Sequence, residues 1–115
     1  MDVDILGTKY SVEFVDIASD EKLEEMEAYT DFYYKNIIVG RTEQREYFKN
    51  ESAVKIKKIQ NKILRHEIIH AFLYESGLDC NSNKSYSWAE NEEMVDWFAI
   101  QSPKIFEVYS KLDIM

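Results

Sequence analysis

The sequence predicts an α+β fold, with short strands in the first third of the chain and helices in the remainder. Two patterns support this division. Apolar and polar residues alternate between positions 10 and 15, whereas apolar residues recur with helical spacing between positions 54 and 73. The 115 residues are 45% hydrophobic and 31% charged, which is typical of a globular protein. No linker or repeat divides the sequence, so we expect one domain, residues 1–115.

The N-terminal residues predict a β-hairpin. Residues 3–6 and 10–15 flank Gly7, and glycine adopts the backbone conformations that tight turns require. The second of these segments has the period of two that separates a buried face from a solvated face. We therefore expect two antiparallel strands at the start of the chain.

A second pair of strands is predicted within residues 28–39. Aromatic and β-branched side chains, which favour strands, are concentrated there. The two strands are expected to join near Asp31 or near Lys35 and Asn36. Three tyrosines of this segment either pack on the sheet or line a cleft beside the next helix: Tyr29, Tyr33 and Tyr34.

A long helix is predicted from Ser52 or Ala53, with Gly77 and the following Leu78 as its C-terminal cap. Its apolar residues form a broad stripe. The opposite flank is basic, and we interpret it as a solvated face rather than a nucleic-acid site. The flank consists of Lys55, Lys57, Lys58 and Lys62.

Residues 66–70 of this helix read His-Glu-Ile-Ile-His, the HExxH motif. Residues four apart lie one above the other on a helix, so His66 and His70 direct two imidazoles at one point. Zinc is the metal most often bound by such a pair. Glu67 is rotated away from the pair but borders the open position of the metal, where a carboxylate can accept the proton of an attacking water. The chain has only two histidines, and both are in this motif.

A second helix is predicted after a polar loop. Ser87 is its expected N-cap, with Glu90 three residues later as in a capping box. Pro103 is expected to end or interrupt it. Apolar residues recur between positions 104 and 115, and they predict a last helix that packs on the core.

A catalytic zinc site usually has three protein ligands, and the chain has no third histidine. Glu92 and Asp96 are spaced i, i+4 and share one face of the second helix. Glu92 can therefore bind the metal while Asp96 accepts the free N–H of a ligand histidine. Glu93 is the rival third ligand. Alternatives in the preceding loop are Asp79 and Cys80.

The HExxH motif followed by Glu92-x-x-x-Asp96 resembles the gluzincin pattern of thermolysin-like peptidases. Residues 92–99 more closely resemble the E-x-x-A-N/D-x-F-A segment of the ImmA/IrrE metallopeptidase family, with Val95 in place of the usual alanine. That family is common on phages and mobile elements, and some members cleave a repressor. The resemblance spans about residues 59–103. It implies a minimal zincin-like fold, in which a small N-terminal sheet packs on the HExxH helix and a second helix carries the third ligand.

Composition excludes several other classes of function. A net charge of −8 argues against binding to a nucleic-acid backbone. The sequence contains no apolar run long enough to span a membrane and no N-terminal signal peptide pattern. A single cysteine, Cys80, cannot form an internal disulfide, so we expect a reducing compartment, the cytoplasm.

The motif and the resemblance together predict a zinc-dependent endopeptidase. Zn²⁺ would be held by His66, His70 and Glu92, and Glu67 would be the general base. The expected partner is a protein or peptide substrate, with one specific regulatory protein as a candidate. The alternative is a non-catalytic, metal-stabilised phage regulatory or interaction module. A closed structural zinc site has no use for a glutamate at position 67, which favours the enzyme.

Two features of the predicted site remain open at the level of sequence. A tyrosine is the expected oxyanion stabiliser, with Tyr86 and Tyr33 as candidates. In zinc peptidases an edge strand beside the metal helix commonly holds the substrate as an additional strand. We expect one of the strands within residues 28–39 to have this role.

Overall fold

The computed structural model describes residues 1–78 and 87–115 of the chain. Within these ranges it contains a four-stranded sheet and two α-helices, so the α+β class is confirmed. Short 3₁₀ turns connect these elements, and one of them, Trp88–Glu90, immediately precedes the second helix. The elements are β1 (Asp2–Ile5), β2 (Thr8–Val15), β3 (Ala28–Asp31), β4 (Asn36–Gly40), α1 (Ala53–Glu75) and α2 (Glu92–Lys111).

The sheet is built from the two predicted hairpins. β1 and β2 pair antiparallel across a turn in which Leu6 and Gly7 have φ angles of 52° and 89°, a combination typical of a two-residue hairpin turn. β3 and β4 also pair antiparallel. The hairpins join through parallel pairing of β2 with β4, which gives the strand order β1-β2-β4-β3. This order leaves β3 at an edge of the sheet.

The hydrophobic core lies between the sheet and α1. Because side chains alternate across a strand, β2 directs Tyr10 and Val12 to one face, and they are 0% and 3% exposed. α1 contributes Ile63 and Ala71 to the same cluster. The remaining buried members of the cluster are Ile5, Ile37 and Val39.

Both ends of α1 are capped, and its start at Ala53 and the glycine after its C-terminal end are as predicted. The Ser52 hydroxyl accepts a hydrogen bond from the Lys55 amide at 3.2 Å. At the other end Gly77 has a φ of 88°, and the Leu78 amide donates to the Leu73 carbonyl at 3.2 Å. This is the Schellman geometry that a glycine one residue beyond the cap permits. The limits of the helix are therefore determined by local chemistry.

The predicted N-cap of the second helix was wrong. Ser87 accepts a hydrogen bond from the Ala89 amide and caps only the turn Trp88–Glu90. The N-cap of α2 is Asn91, whose side-chain oxygen accepts from the Met94 amide at 2.8 Å. Asparagine caps as well as serine does, so the start of α2 shifts toward Glu92.

The prediction that Pro103 ends or interrupts the second helix was also wrong, because Pro103 lies inside α2. A proline has no N–H to donate to the carbonyl four residues earlier, here that of Ala99. The Nε of Arg65 donates to that carbonyl instead, at 2.7 Å. A side chain of α1 thus supplies the hydrogen bond that α2 lacks, and the helix continues to Lys111.

The last residues of the chain do not pack on the core, contrary to the prediction. They continue α2, and most of their side chains are exposed: Phe106 is 52%, Val108 53% and Leu112 63% exposed. Despite these apolar side chains, no helix in the described ranges is long and apolar enough to cross a membrane.

Candidate metal centre

The candidate site lies where α1 and α2 run antiparallel. Successive contacts pair earlier residues of α2 with later residues of α1, from Glu92 beside His70 to Ala99 beside Arg65. The sheet closes the other side of α1 through β3. Three separate elements therefore converge on the HExxH motif.

Four atoms of three side chains converge at the centre of the site. The Nε2 atoms of His66 and His70 lie 3.1 Å apart. One Glu92 oxygen lies 3.0 Å from Nε2 of His66, and the other lies 2.9 Å from Nε2 of His70. Both histidines are largely enclosed, with side chains 14% and 9% exposed. The carboxylate of Glu92 therefore spans the histidine pair.

The opposite ring nitrogen of each histidine also has a partner. Nδ1 of His66 lies 3.1 Å from a carboxylate oxygen of Asp96, and Nδ1 of His70 contacts the backbone carbonyl of Ala89. Both partners are acceptors, so each Nδ1 is the ring nitrogen placed to donate an N–H. Each Nε2 is then the ring nitrogen directed at the Glu92 carboxylate. Two imidazole nitrogens and a carboxylate directed at one point form a ligand set suited to a cation.

Asp96 is kept ionised by its neighbours. The hydrogen bond from the Lys62 ammonium, at 2.7 Å, is the main cause that holds the pKa of Asp96 below its usual range, and the bond to His66 adds to it. Lys62 was predicted to lie on a solvated face, but it is partly enclosed and bridges α1 to α2. The prediction missed this because Lys62 precedes His66 by one helical turn and shares its face.

The donor set fits a divalent metal. Zinc with ligands at 2.0–2.1 Å in tetrahedral geometry has ligand atoms about 3.3 Å apart. The distances of 2.9 to 3.1 Å among the two Nε2 atoms and the Glu92 oxygens are within a few tenths of an ångström of that value. Acceptors on both Nδ1 atoms are what metal-binding histidines usually have. The residues that would hold zinc are therefore His66, His70 and Glu92.

Glu67 lies next to the histidine pair but is not one of the side chains that meet at its centre. Its carboxylate approaches Nε2 of His66 only to 3.9 Å, although a ligand atom from each of His66, Glu67 and His70 lies within 4.8 Å of the others. The Thr30 hydroxyl donates to its Oε1 at 3.0 Å. Burial raises the pKa of Glu67, while the two histidines and Thr30 act in the opposite direction. Glu67 therefore lies farther from the His66 nitrogen than Glu92 does.

A cleft of about 380 Å³ opens beside the histidines, between β3 and the turn Trp88–Glu90. A smaller cavity of about 190 Å³ continues it past His66 toward Lys62. Glu67 and Glu92 line both cavities. The candidate centre thus lies in the middle of an open groove along the edge of the sheet.

Of the three tyrosines predicted to pack on the sheet or line the cleft, only Tyr29 lines the cleft described above. Tyr29 lines it, and the Tyr29 hydroxyl donates to Asp20; burial, aided by this hydrogen bond, raises the pKa of Tyr29 to about 12. Tyr33 and Tyr34 are 85% and 73% exposed and do not line the described cleft. Tyr33 is thus not positioned to stabilise an oxyanion.

Glu93, the rival candidate for the third metal ligand, does not face the histidines. It lies on another face of α2, among residues that line a separate surface depression. Glu90, predicted as part of a capping box, lies at the rim of the cleft. The remaining three candidates fall outside the described residues: Asp79, Cys80 and Tyr86.

Sequence reasoning missed three contributors to the site. Thr30 and the carbonyl of Ala89 reach it through long-range packing, and no local pattern indicates either of them. Lys62 had a detectable signal, because positions 62, 66 and 70 share one helix face.

No family model, no curated protein and no solved structure matches this chain. The likeness to the ImmA/IrrE family therefore depends on the motif residues alone. The geometry around His66, His70 and Glu92 is the independent observation from which a function can be argued.

Proposed function

We propose that this chain is a zinc-dependent endopeptidase of the ImmA/IrrE type. The observation that carries the proposal is the convergence of Glu92 on the Nε2 atoms of His66 and His70, while both Nδ1 atoms contact acceptors. Such an arrangement prepares both imidazoles to bind a cation. Zinc bound there would polarise the scissile carbonyl and lower the pKa of the attacking water.

Glu67 is the proposed general base. It accepts the proton of the attacking water and passes it to the amine of the departing peptide. Its burial favours the neutral carboxylic acid, so the proton it has accepted is readily held until transfer. The Thr30 hydroxyl fixes the carboxylate on the side that faces β3. Thr30 is thus a positioning residue.

The proposed substrate is an extended peptide laid along β3. The amide of Gly40 donates to the carbonyl of Glu27, and hydrogen-bonded pairs alternate with non-bonded pairs along an antiparallel ladder. By this alternation, Ala28 and Thr30 direct their backbone N–H and C=O groups toward the outer edge. A peptide that pairs with them as an added strand would pass along the groove beside Glu67.

The first experiment measures zinc content and peptide cleavage together. Wild type is expected to contain one zinc and to cleave peptides. Glu92→Ala is expected to lose both properties, whereas the matched control Glu93→Ala retains both because Glu93 lies on another face of α2. Glu67→Gln is expected to retain zinc and lose cleavage. Cleavage by Glu67→Gln, or wild type purified without metal after growth in zinc, would overturn the proposal.

The role of Thr30 has a separate test. Thr30→Val removes the hydroxyl and retains the shape, so kcat is expected to fall about tenfold, as for a group that orients a catalytic residue. Thr30→Ser restores the donor and should recover most of the rate. Zinc content should not change in either variant. Equal rates for the two variants would show that the hydrogen bond to Glu67 is not used.

A further inference from the structure

Three lysines of α1 border a cavity of about 390 Å³ between the helix and Phe48. They are Lys55, Lys58 and Lys62, and the space beside them is named the lysine cavity here. Spacings of three and four residues place the three side chains on one face of the helix. Lys57, the remaining lysine of this flank, points to another side of α1 and does not line the cavity.

The lysine cavity continues the groove of the candidate metal centre. Glu27, Lys62 and Ile63 line both the lysine cavity and the cavity of about 190 Å³ that passes His66. Ile59 adds apolar surface between the lysines. The groove therefore extends from the histidines along α1 toward the start of the helix, and its far end is basic.

β3 and α1 follow the groove in the same direction. The Thr30 hydroxyl donates to the side chain of Glu67 at 3.0 Å. Glu27 precedes Thr30 in the chain and lines a cavity together with Lys62, which precedes Glu67. A peptide that pairs with the outer edge of β3 therefore also passes along α1, and it reaches the lysine cavity beyond the start of β3.

Lys58 is the lysine of this cavity whose charge is not already paired. The ammonium of Lys55 lies 3.0 Å from a carboxylate oxygen of Glu51, and that of Lys62 lies 2.7 Å from Asp96. Lys58 is exposed and forms no salt bridge with any residue that the structure describes. It is therefore the cation of the cavity that is available to an acidic ligand.

We propose that the lysine cavity is a subsite for acidic side chains of the substrate, with Lys58 as the residue that selects them. Lys58 precedes His66 by about 12 Å along the helix axis, a distance that an extended peptide covers in about four residues. An acidic residue about four positions from the scissile bond would therefore meet Lys58. Glu27, the acidic side chain that lines the cavity, accepts a hydrogen bond from the Tyr47 hydroxyl at 3.3 Å and forms no salt bridge with Lys58.

Selection of acidic segments is opposite to what the overall charge of the protein favours. A net charge of −8 by itself attracts basic peptides, whereas salt at physiological strength limits such attraction to about 8 Å. A preference for acidic peptides would therefore come from charges next to the bound peptide. This selection rests on the proposed function in one respect, because the peptide is taken to lie along β3.

The test measures peptide binding by fluorescence anisotropy with the Glu67→Gln protein, in which bound peptides are expected to stay intact. The labelled peptides share an uncharged centre and carry a pair of Glu, Gln or Lys residues about four positions from it. The pair is placed on the N-terminal side or on the C-terminal side, because an added strand can run in either direction. On one of these sides, the Glu peptide should bind at least about threefold more tightly than the Gln peptide, and the Lys peptide more weakly.

Lys58→Glu in the same protein should abolish the preference for Glu over Gln, and Lys58→Gln should reduce it. Lys57→Glu is the matched control, because it changes the net charge by the same amount and is an exposed residue of the same helix that does not line the cavity. It should retain the preference. No preference for the Glu peptide on either side, or an equal loss in Lys57→Glu, would overturn the proposal.

Failure of the acidic subsite can be distinguished from failure of the peptidase. Cleavage of the Gln and Glu peptides by wild type at equal rates, together with equal binding, would overturn the subsite and leave the peptidase. A binding preference that disappears in Lys58→Glu, while wild type cleaves none of the peptides, would support the subsite and count against the peptidase.

Discussion

The hydrogen bond from Arg65 to Ala99 makes a specific prediction about stability. Pro103 cannot supply the N–H that the Ala99 carbonyl would receive within α2, and Ala99 is completely buried. The Nε of Arg65, at 2.7 Å, is the donor that replaces it. Arg65→Met retains the aliphatic bulk and removes the donor, so the buried carbonyl loses its partner.

The expected effect follows from the energy of an unpaired buried carbonyl. Leaving such a group without a donor costs about 1–3 kcal/mol, and we expect the free energy of unfolding of Arg65→Met to fall by about 2 kcal/mol. In a Pro103→Ala background, the new amide at position 103 can donate to Ala99 within the helix. There Arg65→Met should cost less than about 1 kcal/mol, which gives a coupling energy of about 1 kcal/mol or more.

Wild type, the two single variants and the double variant form a double-mutant cycle. The free energy of unfolding of each is measured by urea unfolding followed by circular dichroism, and equal m-values would show that all four unfold in the same way. Lys58→Met is the matched control, because Lys58 is an exposed residue of the same helix and forms no salt bridge within the described residues. Its effect should be within about 0.5 kcal/mol. If Arg65→Met costs the same with proline or alanine at position 103, Arg65 does not compensate for the missing amide.

Two further predictions concern Asp96, which contacts a histidine of the candidate centre, and Glu75, which joins α1 to the sheet. Asp96→Asn should weaken zinc binding about 10- to 100-fold, because a neutral amide orients the His66 ring less strongly than a carboxylate does. The affinity is measured by competition with a chelator, and an unchanged value would show that Asp96 does not orient His66. Burial opposes ionisation of Glu75, but hydrogen bonds from Lys35 at 2.9 Å and Tyr10 at 2.8 Å outweigh it and lower the pKa of Glu75 from its ordinary 4.5. A lowered pKa in the folded state contributes stability above pH 4.5, and this contribution is lost as the pH falls. Glu75→Gln should therefore lower the free energy of unfolding by about 1 kcal/mol at neutral pH and by less in acid. A difference between the two proteins that does not change with pH would refute this.

The sequence by itself determined the features that depend on local spacing. The caps of α1 follow from Ser52 and Gly77, because each interacts with backbone groups within a few residues. The shared direction of His66 and His70 follows from the pitch of one helix. The two hairpins were predictable for the same reason, since alternation and turn residues act over short distances.

Only the tertiary structure decided how these pieces meet. Parallel pairing of β2 with β4 places Thr30 at the sheet edge beside Glu67, and no pattern in either strand specifies that partner. The packing of α2 against α1 brings Glu92 rather than Glu93 to the histidines. It also lets Arg65 sustain a helix through Pro103, which local propensity opposes. Contacts between residues distant in sequence can override propensities of a few kcal/mol because burial removes the competing water.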